Sequence, residues 1–260
     1  MHTRLTLILL LTFSFCAALI AKPVEDFSAA IIKGKNLIEK GVQKNDEKLL
    51  VDARATFERL TQNDEMQWLT HYYVGLADYR LAIYYQSQNN SKQLIKYLDD
   101  GIQHIYTSLE KNEEFADAHG LLSALLGQKI GTDPSLGMTL GMEAMTAMND
   151  AITYGKDNPR VALFSAISAY YTPEQYGGSK TRAMQEMSRA IGLFENENLE
   201  DKRLPDWGHD EALVWHARFN LEAVNLDTAK QSIEKALKLS PENAFAKYVQ
   251  QELKKKLSEK

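Results

Sequence analysis

Along most of the chain the apolar residues recur at intervals of three and four, and nowhere do they alternate strictly with polar ones as in a half-buried strand. This predicts an all-α protein. Trp68, Tyr72, Leu76 and Tyr79 form one such stripe, and Tyr73, Ala77 and Tyr84 lie on an adjoining face, so this helix is apolar over an arc wide enough to meet neighbours on two sides. All six prolines stand where the pattern starts or stops. Pro23 precedes the first helix, Pro134, Pro173 and Pro205 fall in loops, and Pro159 and Pro241 are expected to open helices after the N-cap residues Asn158 and Ser240. The pattern divides residues 22–260 into five helix pairs in a single domain, at 25–44 with 47–62, 65–88 with 91–111, 114–130 with 135–154, 159–171 with 179–196, and 209–224 with 226–239. A polar helix from Glu242 to Leu257 then shields the last pair from solvent.

An internal period underlies these pairs. Between Asp210 and Asn243, Ala217, Ala229, Ala236 and Pro241 stand 12, 7 and 5 residues apart, with Ile233 between the last two alanines. This resembles a tetratricopeptide repeat, in which small side chains let two antiparallel helices approach closely and a proline separates one pair from the next. The same template fits the first pair, with Gly41, Ala53, Phe57 and Leu60 in its slots and Asn45-Asp46 as the turn. In the middle of the chain, Gly101 and Ser108, Ala144 and Ala151, and Ala183 and Ala190 keep the 7-residue spacing, while the segments before them are longer. The resemblance implies a superhelical α-solenoid with a concave face built mainly by the first helix of each pair. A narrower likeness rests on Asn158-Pro159-Arg160, on Thr172-Pro173-Glu174-Gln175-Tyr176-Gly177-Gly178-Ser179-Lys180 and on Trp207-Gly208. These segments resemble secreted bacterial tetratricopeptide proteins and are more distantly similar to the periplasmic tetratricopeptide component associated with TRAP-type solute transporters.

The N-terminus carries a different signal. Met1 to Arg4 is a short positive head, and the apolar run from Leu5 to Ile20 is shorter than the roughly 20 residues that span a bilayer. Small residues follow at Ala17, Ala18 and Ala21. This is the layout of a signal peptide over residues 1–21, with cleavage after Ala21 or, as second choice, after Ala18, and it implies export to the periplasm or beyond with no integral membrane segment left. Phe15 immediately before Cys16 argues against lipid attachment there, and retention as an uncleaved anchor is the minority alternative. Cys16 is the only cysteine, so the mature chain has no disulfide or thiolate metal site. Lys and Arg number 30 against 35 Asp and Glu, a net charge of −5, and this acidic balance argues against nucleic acid as a partner.

No residue spacing supports an enzyme. Serine elbows and His-rich metal motifs are absent, and His71, His104, His119, His209 and His216 are scattered along the chain. Tyr176-Gly177-Gly178-Ser179-Lys180 lacks the spacing of a phosphate loop and is expected to be a turn with Ser179 as N-cap. Met138, Met142, Met145 and Met148 share one helical face. Such a cluster suits soft Cu(I) or a mouldable surface, but Gly137 and Gly141 on the same helix imply close packing, so these side chains are expected to fill the core. No cofactor is expected. The leading reading is a scaffold that binds a protein or peptide partner in its groove, and Tyr72, Tyr79, Arg160, Tyr170, Glu211 and Arg218 are the candidate groove residues. The alternative is a periplasmic small-molecule binding protein, its groove closed over a small apolar ligand.

Overall fold

The computed structural model describes residues 26–259; the proposed signal peptide and its cleavage site lie outside them. Eleven α-helices and two short 3-10 turns make up the described residues. The helices are α1 (Phe27–Lys44), α2 (Glu47–Leu60), α3 (Gln67–Ser87), α4 (Ser91–Lys111), α5 (Ala116–Thr132), α6 (Gly137–Tyr154), α7 (Pro159–Tyr171), α8 (Lys180–Glu195), α9 (His209–Glu222), α10 (Leu226–Leu239) and α11 (Ala244–Ser258). The five expected pairs are present, with ends within a few residues of the sequence pattern.

Local chemistry sets those ends. At the first turn Asn45 takes the left-handed conformation at φ 51° and closes α1, and the Asp46 carboxylate then accepts from Leu49 N to open α2. Asn158 caps α7 in front of Pro159, and Ser179 caps α8 by accepting from Arg182 N, as expected. Pro241 departs from expectation. Ser240 ends α10, Pro241 sits in the turn, and α11 starts at Ala244 with Asn243 as its cap. The Asn243 carboxamide accepts from Ala246 N, and it reaches Asp210 of α9 as well, so this cap also fixes how α11 lies on the last pair.

Each pair packs on the next, and the core divides into three apolar clusters along the stack. The small-residue slots behave as the repeat template requires. Ala53, Ala217, Ala229 and Ala236 are fully buried, and the Phe57 ring occupies the space where a side chain on Gly34 would be. Buried ion pairs join neighbouring repeats: Arg54 Nε meets Asp78 Oδ1 at 2.5 Å and Arg160 meets Asp117 of α5, also at 2.5 Å, while a further 2.5 Å pair ties Arg160 to Glu197 just after α8 in its own repeat. Such pairs are by themselves weak evidence of stability, because the cost of desolvating both charges offsets their attraction.

Two departures from a regular stack shape the groove. α6 packs along α5 but barely meets α7, which leaves much of its surface without a neighbouring helix. The long connection after α8 runs back to the first two pairs, where Lys35 donates to the carbonyls of Lys202 and Leu204 and pairs with Asp206 at 3.0 Å. Tyr73 donates to Arg203 O at 2.6 Å, and Trp207 donates its indole N–H to the Tyr72 hydroxyl. α11 also touches α1, so the end of the superhelix returns to its beginning. Among the described residues no helix is long and apolar enough to cross a membrane.

Candidate functional site: a methionine-walled concave groove

Inside the superhelix lies one large groove with a volume of about 2550 Å³. The first helices α1, α3, α5, α7 and α9 line it, joined by α6, by the start of α11 and by the strap at Lys202, Asp206 and Trp207. Its wall is predominantly apolar. Two ion pairs sit in it: Arg80 forks onto both carboxylate oxygens of Glu211 at 3.0 and 2.6 Å and stacks over the Trp207 ring, while Asp206 holds Lys35. Burial lowers the Lys35 ammonium below the usual lysine range even against the attraction of Asp206.

The six candidate residues divide unevenly. Tyr79 and Glu211 line the groove; Tyr72, Arg160, Tyr170 and Arg218 do not. Tyr72 is fully buried against Phe115 and accepts from Trp207. Arg160 is locked between two carboxylates, and Tyr170 lies flat on Phe219 at 3.8 Å while its hydroxyl donates to Glu222. Arg218 pairs with Glu222 and Glu252 along the last helices. The inner helices carry apolar residues on both flanks, so periodicity alone does not separate the face toward the groove from the face toward the next repeat. Tyr171, one residue from Tyr170, is the exposed groove aromatic of that helix, 56% accessible whereas Phe164 is buried; Tyr84, Tyr176 and Tyr248 also line the wall.

The methionine expectation is overturned for three of the four residues. Met138, Met142 and Met145 are 95%, 68% and 51% exposed on the groove side of α6, and only Met148 is buried. Gly137 and Gly141 make no close helix contact: a Cβ at Gly141 would meet nothing within 4 Å, and one at Gly137 would meet only Ile130 in ordinary contact. Gly127 and Gly131 on α5 likewise face open space, so the two helices present a smooth glycine surface bearing flexible thioethers. The sequence carries this signal as a methionine stripe in register with glycines, but whether the stripe faces core or groove rests on the weak docking of α6 on α7, a tertiary event.

The fold also brings together two histidines that lie far apart in sequence. His71 of α3 and His104 of α4 face each other through their Nδ1 atoms at 3.1 Å, with ring centroids 5.4 Å apart, so one ring donates to the other. Burial, then the neighbouring His104 and Lys111, hold His71 down at about 4. Among the described residues no three His, Cys, Asp or Glu side chains gather as a metal site.

No protein-family profile matches the chain, and no curated protein matches it in sequence. Solved structures do match in shape. The HusA haemophore from Porphyromonas gingivalis superposes with a TM-score of 0.66 at 16% identity, covering 78% of this chain and 96% of its own. The tetratricopeptide protein TTC0263 from Thermus thermophilus gives 0.56 at 17% identity, over 85% of this chain and 98% of its own. The fold is therefore a tetratricopeptide-like all-α solenoid.

Proposed function

We propose that the protein is an exported, non-catalytic scaffold that captures an apolar, helix-sized segment of a partner protein in its concave groove, with Glu211 on the contact surface and Tyr79, almost fully buried, within the groove wall. Groove size carries this reading. Small-molecule sites usually enclose about 300–1000 Å³, and this groove holds about 2550 Å³. A cylinder of that volume with the roughly 11 Å diameter of an α-helix is about 27 Å long, or about 18 residues. Exposed methionines suit such an occupant, because their unbranched side chains mould to irregular apolar surfaces. Arg80 and Lys35, paired with Glu211 and Asp206, offer little attraction to a charged ligand. Export rests on the leader at residues 1–21; mass spectrometry of the native protein is expected to find a chain beginning at Lys22, and an intact Met1 would overturn it.

A second reading, a small apolar ligand such as haem, is favoured by one observation: the chain shares its fold with a protein described as a haemophore, and methionine thioethers are known haem ligands. A groove-filling variant separates the two. Gly141→Trp enters open space and is expected not to lower the melting temperature. It should weaken binding of a fluorescent amphipathic Leu/Lys 18-residue helix at least about tenfold, the equivalent of roughly 1.4 kcal/mol. Equal peptide binding by variant and wild type, or no binding by wild type, would sink the proposal. A stoichiometric haemin absorbance band lost in Gly141→Trp would transfer support to the second reading.

A further inference from the structure

The thioether stripe on α6 has a chemistry of its own, independent of what fills the rest of the groove. Met138, Met142 and Met145 are spaced four and three residues apart, which at 100° per residue confines them to an arc of roughly 60°. All three project into the groove rather than the core. On a helix, neighbours at these spacings hold their Cβ atoms about 5–6 Å apart, and each methionine has three rotatable bonds with which to bring its sulfur toward the next. Gly141, beside Met142, leaves the space around the sulfurs open.

The hard ligands that would favour other metals are turned away. Glu143 on the same helix is engaged by the Tyr106 hydroxyl, and no histidine or carboxylate belongs to the stripe. No thiol competes either, because the single cysteine is Cys16. A donor set of thioethers alone selects soft cations and has little affinity for Mg²⁺, Ca²⁺ or Zn²⁺.

We propose that Met138, Met142 and Met145 form a binding site for a soft monovalent cation, Cu(I) or its redox-inert analogue Ag(I). The spacing makes Met142 the shared ligand. Met138 and Met145 lie about 10.5 Å apart along the axis, too far to chelate together easily, whereas each is one turn from Met142. The ion is therefore held by Met142 with one or the other neighbour.

The test is titration of Ag(I) into the chain from Lys22 onward, followed by calorimetry and by the methionine methyl resonances. One Ag(I) per chain is expected, shifting the methyls of Met138, Met142 and Met145 while that of Met187, fully buried, stays in place. Met142→Leu keeps the wall apolar and of similar volume but removes the central sulfur. Its affinity for Ag(I) should fall by at least the roughly 10- to 100-fold that even outer partners of metal ligands carry, and by more than in Met138→Leu or Met145→Leu. The melting curve and binding of the amphipathic peptide serve as separate readouts, so loss of the metal site is distinguishable from loss of the groove. Unchanged Ag(I) affinity in Met142→Leu, full binding by the triple leucine variant, or no binding by wild type would overturn the proposal.

Discussion

The α3/α4 and α5/α6 pairs both contain glycines within their helices, and Gly75 and Gly101 of the first do the opposite of Gly127, Gly131 and Gly141 of the second. In α3/α4, Gly75 and Gly101 face each other so closely that a Cβ on Gly75 would come within 2.6 Å of Ile105 Cδ1 and 3.3 Å of the Gly101 carbonyl. There glycine allows two backbones to approach. In α5/α6, Gly127, Gly131 and Gly141 meet nothing within 4 Å, and their missing side chains become groove. The lesson is that glycine at helical spacing reports a need for space but does not say whether a neighbouring helix or an open groove takes it.

The same substitution should therefore act with opposite sign in the two pairs. Gly75→Ala forces Ile105 and the α4 backbone to shift and is expected to destabilise the fold by roughly 1–3 kcal/mol in a denaturant melt. Neutrality would mean that the α3/α4 seam is looser than the structure has it. Gly141→Ala, by contrast, is expected to stabilise by about 0.5–1 kcal/mol, because alanine restricts the unfolded chain and favours helix without meeting any atom. A loss of stability there would mean that another element covers α6.

The smallest expected effect tests the tight seam through pH. His71 and His104 meet across α3 and α4, and the charged groups around them are Lys111, Arg54, Glu58 and Asp100. Since the folded chain holds His71 at about 4 and an unfolded histidine titrates near 6.5, the unfolded chain takes up the proton first as pH falls. The pair's contribution is thus complete above about pH 6.5 and is lost as pH drops toward 4. The fall in Tm between pH 7 and 4.5 is expected to be smaller in His71→Asn than in wild type. Asp78, whose carboxyl burial pushes up to about 7, acts in the opposite direction but is common to both proteins, so the difference isolates the histidines. Parallel profiles would argue against the contact.

Much of the fold is legible along the chain. Asn45-Asp46, Asn158-Pro159 and Ser179 mark helix ends through local hydrogen bonds, and the alanines 7 residues apart mark the seams within pairs, because both signals act within a few turns of helix. The candidate site is less legible. Tyr170 and Tyr171 are adjacent and chemically identical, yet one is stacked on Phe219 and the other opens onto the groove.

The sequence by itself determined the helices, their pairing and the small residues between them, all of which follow from local capping and helical periodicity. Only the tertiary structure decided which flank of each inner helix faces inward. It did so through contacts that no local pattern encodes: Lys35 holding the carbonyl of Leu204 across 169 residues, Arg80 clamping Glu211, and α6 left with little of α7 to pack on. With α6 so little covered by α7, Met138, Met142 and Met145, expected in the core, stand in the groove wall.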